Sequence, residues 1–199
     1  MKSQLTQAEF SLKLKDVERL IYATSNFRDR CLIKCLYFAG LRRFEAKDLE
    51  VQDIDFDRKR IIVRHGKGDK TRVVPIINPE FMSDLQHHIG KRKEGAVFIS
   101  NKGNKMSNGT INLIVKKAGQ KAELTHPNPN MKGINPHLLR HSIARHLKDM
   151  AFPAEFIQKF LGHASFKTTM DMYGTLSIDE MQSMVNRKIG YVDDRRMLE

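Results

Sequence analysis

Arg42, Lys67, His137, Arg140, His163 and Tyr173 carry the side chains best suited to chemistry at an anionic centre. A phosphodiester bears a full negative charge and gains more on its non-bridging oxygens as a nucleophile attacks, so its cleavage calls for fixed cations with forked donors. Arg42 lies in Ala39-Gly40-Leu41-Arg42-Arg43-Phe44-Glu45, and Arg140 lies in Pro136-His137-Leu138-Leu139-Arg140-His141-Ser142. Both meet that need. Each falls at the start of a predicted helix, where the N-terminus itself favours an anion. A single arginine more often has a plainer use, with Arg42 pairing to Glu45 on a helix surface and Arg140 facing solvent. His137 and Arg140, three apart on one helix, project to the same side and can meet one phosphate together. His163, just after Leu161-Gly162, reads by itself as a loop histidine bonded to backbone.

Lys67 sits in Gly66-Lys67-Gly68, a turn from which a flexible ammonium can reach a leaving oxygen. A lysine near other cations has a lowered pKa, which suits a proton donor. Its basic neighbours fit the same description, and a plain phosphate contact is the simpler use. Of the four tyrosines, Tyr22 and Tyr37 fall in apolar helical stretches and read as core, and Tyr191 lies in a polar tail. Tyr173, between Thr168-Thr169 and Gly174, has the polar setting of a reactive phenol. Its ordinary pKa near 10 requires help from nearby cations. His137 and His141 have the spacing of two zinc ligands, but no glutamate follows His137, no third ligand is evident and Arg140 would repel a cation.

These residues must be placed by elements whose signals are clear. Helical spacing marks 15–24, 27–39 (stopped by Gly40) and Arg42–Lys47. The period then shortens: Val51, Ile54 and Phe56, then Ile61-Ile62-Val63, then Val73-Val74 predict a three-stranded meander with turns at Asp57-Arg58-Lys59 and Gly66–Asp69. Helical patterns resume at 79–89, 107–118, 137–150, 153–161 and 177–187, and Thr125–Asn135 reads as a long loop. The expected fold is mainly α with a small three-stranded antiparallel β-sheet, an α+β arrangement.

The chain has 199 residues, enough for one ordinary domain, with 40% hydrophobic and 29% charged residues, which excludes a disordered or fibrous chain. No apolar run is long enough for a membrane span, and the polar start at Met1-Lys2-Ser3-Gln4 does not read as a signal peptide. Cys31 and Cys35 read as buried thiols. The formal net charge is +12, and half of it lies in Arg58–Arg72, where seven basic residues meet one acid. This hairpin is expected to face an anionic partner through Arg58, Lys59, Arg60, Arg64, Lys70 and Arg72.

Together, the Gly-Leu-Arg around Arg42, the lysine in a β-turn, His137-x-x-Arg140, Leu161-Gly162-His163, and Tyr173 ten residues after that histidine resemble the catalytic domain of the tyrosine recombinases, the phage-integrase and Xer-type site-specific DNA recombinases. The resemblance runs from about Leu5 to Arg187. It implies cleavage and rejoining of DNA strands through a covalent 3′-phosphotyrosyl link, with no metal or other cofactor. It makes Tyr173 the nucleophile, Lys67 the proton donor to the leaving 5′ oxygen, and Arg42 and Arg140 the phosphate cations. His137 takes part in proton transfer, His163 hydrogen-bonds the scissile phosphate, and Glu45 supports the arginines. Duplex DNA is the implied partner, with self-association on DNA as a tetramer and a cytoplasmic location. Residues 1–190 are expected to form a single catalytic domain with a 191–199 tail, and the family's N-terminal core-binding domain is expected to be absent. A non-catalytic DNA-binding module of the same fold and a type IB topoisomerase-like relaxing enzyme are the alternatives.

Overall fold

A computed structural model of the protein describes residues 10–64 and 71–162. Lys67, Lys70, His163, Tyr173, the 177–187 helix and the 191–199 tail lie outside the described residues. The order is α1 (Leu14–Tyr22), α2 (Phe27–Phe38), α3 (Arg43–Asp48), a 3-10 turn (Val51–Asp53), β1 (Ile54–Asp55), β2 (Arg60–Val63), β3 (Arg72–Pro75), α4 (Pro79–Ile89), α5 (Asn108–Lys121), α6 (Pro136–Asp149) and α7 (Ala154–Leu161). The expected α+β architecture is present.

Helix α2 is the hub. Its residues Cys31–Tyr37 are all buried, and α1, α3, α4 and α6 pack around it. Asparagine side chains start three of the helices by accepting a backbone N–H of the first turn: Asn26 from Asp29, Asn78 from Phe81 and Asn135 from Leu138. Pro79 and Pro136 occupy the first turns of α4 and α6, where a missing N–H costs nothing. Gly40, at φ +56°, turns the chain out of α2 beneath α7; a Cβ there would lie 2.9 Å from Leu161 Cδ2. Glycine is therefore needed both for the backbone angle and for the close approach.

The sheet is antiparallel in the order β1-β2-β3, with Ile61 opposite both Ile54 and Val74, and Val63 opposite Arg72. Period-two alternation turns Ile61, Val63 and Val74 into the core and leaves Val73 outside. Arg72 shares the inward face of β3 with Val74, which carries its side chain toward α7. Val51, expected to open a strand, instead begins the 3-10 turn: Glu50 N–H bonds Asp53 Oδ2 at 3.1 Å, and this local bond closes the chain before it can extend.

Cys31 and Cys35 are free and buried, and burial pushes the Cys31 thiol up to about 12. Tyr37 is buried as expected, its hydroxyl 2.5 Å from His146 Nδ1. Tyr22 is not: it is 58% exposed, lying flat beneath Arg30 and Lys34 and donating to Glu80. The amphipathic α1 turns only Val17, Leu20 and Ile21 inward. Among the described residues no helix is long and apolar enough to cross a membrane.

Candidate active site

Arg42 precedes the first turn of α3 in extended backbone, and Glu45, one turn on, folds back so that its Oε2 accepts the Arg42 N–H at 2.7 Å. This short loop fixes the arginine's direction. Glu45 has a fully buried side chain, and its carboxylate gathers cations from three elements. Arg42 Nη1 approaches Oε1 at 2.9 Å; Arg72, from β3, grips both oxygens at 2.7 and 2.8 Å; Arg140, from α6, stands 3.9 Å from Oε2. Burial alone would raise the Glu45 pKa, but the two-pronged bond to Arg72, the Arg42 N–H and the Arg140 charge hold it down at about 2.

The same guanidiniums close the end of α7. The carbonyls of Phe160, Leu161 and Gly162 accept from Arg72 Nε at 3.1 Å, from Arg140 Nη2, and from Arg42 Nη2 at 3.4 Å respectively. The last carbonyls of a helix have no partners within it and carry partial negative charge, so three cations suit the position. Gly162, at φ +65°, makes this approach feasible, because a Cβ there would fall 2.6 Å from Arg72 Cδ. Arg140 also donates to Gly40 O, which ties the ends of α2 and α7 together. Three cations around one anion leave net positive charge.

That surplus borders a cleft of roughly 550 Å³ between α3, α5, the 125–135 loop and the start of α6. Arg42, His137 and Arg140 line it together, and Arg43, Lys116 and Lys132 add positive charge along its walls. A smaller cavity of about 260 Å³ that Glu45 also lines carries Asp48, Glu50 and Asp53 against Arg64 and Lys105, an excess of acids that disfavours phosphate. His137 Nε2 lies 2.7 Å from His141 Nε2. Burial, then Arg140 and Arg42, lowers the His137 pKa, which favours the neutral imidazole.

Several expectations are corrected. Arg140 neither faces solvent nor sits at a helix terminus; it is the fifth residue of α6 and only 2% exposed. Arg42 does pair with Glu45, but with a buried carboxylate rather than on a helix surface. Arg72, expected to face DNA from the hairpin, is committed to Glu45 and Phe160. Of the other hairpin residues, Arg58 and Arg60 share Asp55, and Arg64 pairs with Asp53. Lys59 remains exposed at the turn with φ +51°. The net charge of Arg58–Arg72 overstated the free charge because Asp53, Asp55 and Glu45 lie outside that window. The inward alternation of β3 was the available signal for Arg72. His141, weighed only as a zinc ligand, proves to be the partner of His137.

The phage integrase family matches residues 11–178 of the chain. Tyrosine recombinase XerA of Pyrococcus horikoshii is 34% identical over 164 residues, which are 80% of this chain and 54% of that protein. XerA of Pyrococcus furiosus is 32% identical over 184 residues, 89% of this chain and 61% of that protein. The chain thus spans a little over half the length of these relatives. A crystal structure of XerA recombinase superposes with a TM-score of 0.73 at 30% identity, covering 89% of this chain and 64% of that one. XerH site-specific recombinase bound to difH substrate, in a pre-cleavage complex, shares the fold with a TM-score of 0.72 at 24% identity, covering 92% of this chain and 56% of that one. With a Glu45-centred arginine cluster beside a cationic cleft, and with these relatives, the chain belongs to the phage integrase family.

Proposed function

We propose that the chain is the catalytic domain of a site-specific DNA strand transferase of the tyrosine recombinase type, with residues 1–190 as the domain and 191–199 as its tail. The observation that carries the reading is the convergence of Arg42, Arg72 and Arg140 on one buried carboxylate, with net positive charge beside a cleft that also holds His137. Such preorganised cations stabilise the charge that grows on a phosphodiester under attack. In this reading the Tyr173 phenolate attacks the scissile phosphorus, a P–O bond to tyrosine forms and the bond to the 5′ oxygen breaks. Lys67 delivers the proton that the departing oxygen needs. His137 takes part in proton transfer at the phosphate, His163 hydrogen-bonds it, and attack by a 5′ hydroxyl reverses the sequence to rejoin the strand. Duplex DNA is the substrate, a self-associated tetramer on DNA is the working assembly, and the cytoplasm is the compartment.

The test is a suicide duplex carrying the chain's own site, nicked so that the cleaved end diffuses away. The expected product is an SDS-stable adduct mapped to Tyr173 and lost in Tyr173→Phe. Binding without an adduct would establish the non-catalytic reading, and an adduct at Tyr22, Tyr37 or Tyr191 would remove Tyr173 as nucleophile.

A further inference from the structure

One contact at the cleft is left unexplained by the reading above, on which the following rests. His137 and His141, one turn apart on α6, meet Nε2 to Nε2 at 2.7 Å, with rings nearly perpendicular and centroids 4.2 Å apart. A hydrogen bond between two neutral imidazoles needs one N–H and one bare nitrogen, so a single proton lies between them. The other nitrogen of His141 decides which ring owns it. His141 Nδ1 is buried and has no hydrogen-bond partner among the described residues. A buried N–H without an acceptor is the rarer and costlier orphan, whereas an unfilled lone pair is tolerated more often. His141 therefore carries its proton on Nε2 and donates it, which leaves His137 Nε2 bare and its proton on Nδ1.

We propose that His141 is a positioning residue that fixes the tautomer of His137, leaving Nδ1–H as the donor that His137 offers to a phosphate oxygen in the cleft. Free histidine in water favours the opposite tautomer, with the proton on Nε2. Without His141 the ring would present a bare Nδ1, whose lone pair repels an anionic oxygen. The surroundings favour neutral rings in the pair. Among the described residues, the groups acting on the pair are Arg140, Arg42 and His126, all cationic or able to become so. Burial first, then His137, Arg140 and His126, pushes the His141 pKa down to about 4.

Nitrogen-15 NMR of the imidazoles in the free protein at neutral pH reads the tautomer directly, with no need for activity. The expected result is His137 protonated on Nδ1 in the wild type and shifted toward Nε2 in His141→Leu. In the suicide-substrate assay His141→Leu should cleave roughly 100-fold more slowly, the scale for losing one donor to a transition-state oxyanion, with DNA binding unchanged. His141→Gln keeps a side-chain N–H and should recover most of the rate, which a merely space-filling role would not produce. His137 protonated on Nε2 in the wild type, or a tautomer and rate unaltered by His141→Leu, would overturn the proposal. A wild-type protein that forms no adduct would instead remove the proposed function and leave the NMR result to judge His141. If His141→Leu does not fold, the wild-type tautomer and the rate of His141→Gln decide.

Discussion

Replacing Glu45 by glutamine preserves the shape of the side chain and removes the anion on which three guanidiniums converge. The carboxyl titrates at about 2 instead of 4.5. At about 1.4 kcal/mol per unit, its charged form is favoured over its neutral form by about 3 kcal/mol. Glutamine imitates the neutral form and turns an amide N–H toward donors, so a loss of about 3 kcal/mol is expected, in line with breaking one side of a buried ion pair. In a domain of this size that lowers Tm by about 6–12 °C. The pH dependence adds a second handle. A carboxyl with a depressed pKa gives its full stabilisation above 4.5 and loses it as pH falls toward 2. Urea unfolding of wild type and Glu45→Gln should therefore differ by about 3 kcal/mol at neutral pH, and the gap should narrow as the medium is acidified below the ordinary glutamate pKa. A gap under about 1 kcal/mol at neutral pH, or one that stays constant on acidification, would refute the placement of Glu45 as the buried hub.

Two other perturbations separate the parts of the site. Gly162→Ala forces a left-handed backbone on a residue with a Cβ and drives Arg72 off Gly162, so stability should fall by about 1–3 kcal/mol in urea unfolding; a change within about 0.5 kcal/mol would mean the close approach is relaxed at no cost. Neutralising Arg43, Lys116 and Lys132 together should shallow the salt dependence of duplex binding by up to about three units, as each phosphate contact contributes about 0.9. Anisotropy titrations over a range of salt test this, and an unchanged slope would place the cleft walls away from DNA. The paired Arg58 and Arg60 should alter the slope less, because Asp55 already neutralises part of their charge.

The fold was legible where local signals agree with burial. Helical spacing of apolar residues and the β-branched runs of the hairpin marked every described helix and strand to within a few residues. Val51 misled because a β-branched residue was read without the acids flanking its turn. Arg42, His137 and Arg140 were singled out by residue type and by the family motifs, and Glu45 by the resemblance alone, whereas the contacts of Arg72 and His141 were not foreseen. That Glu45 receives Arg72 from 27 positions away depends on β3 packing against α7, which no local window contains. Burial of Arg140 was equally hidden, since only the assembled ends of α2 and α7 supply the carbonyls that satisfy its guanidinium. The net charge of the hairpin was counted correctly and interpreted too freely, because cross-strand register brings Asp55 against Arg60.

Arg42 offers the cleanest view of the central claim that the arginine cluster serves a phosphate. Its side chain reaches the cleft and is only partly buried, while Arg72 continues to hold Glu45 when it is gone. The decisive measurement is the single-turnover cleavage rate of Arg42→Ala on a suicide duplex at saturating protein, alongside its duplex affinity. The account predicts a rate lower by roughly 100-fold or more with nearly unchanged affinity, the pattern of a contact that strengthens only as charge develops on the phosphate. Cleavage within a few-fold of wild type would contradict it and reduce the cluster to a structural clamp on α7.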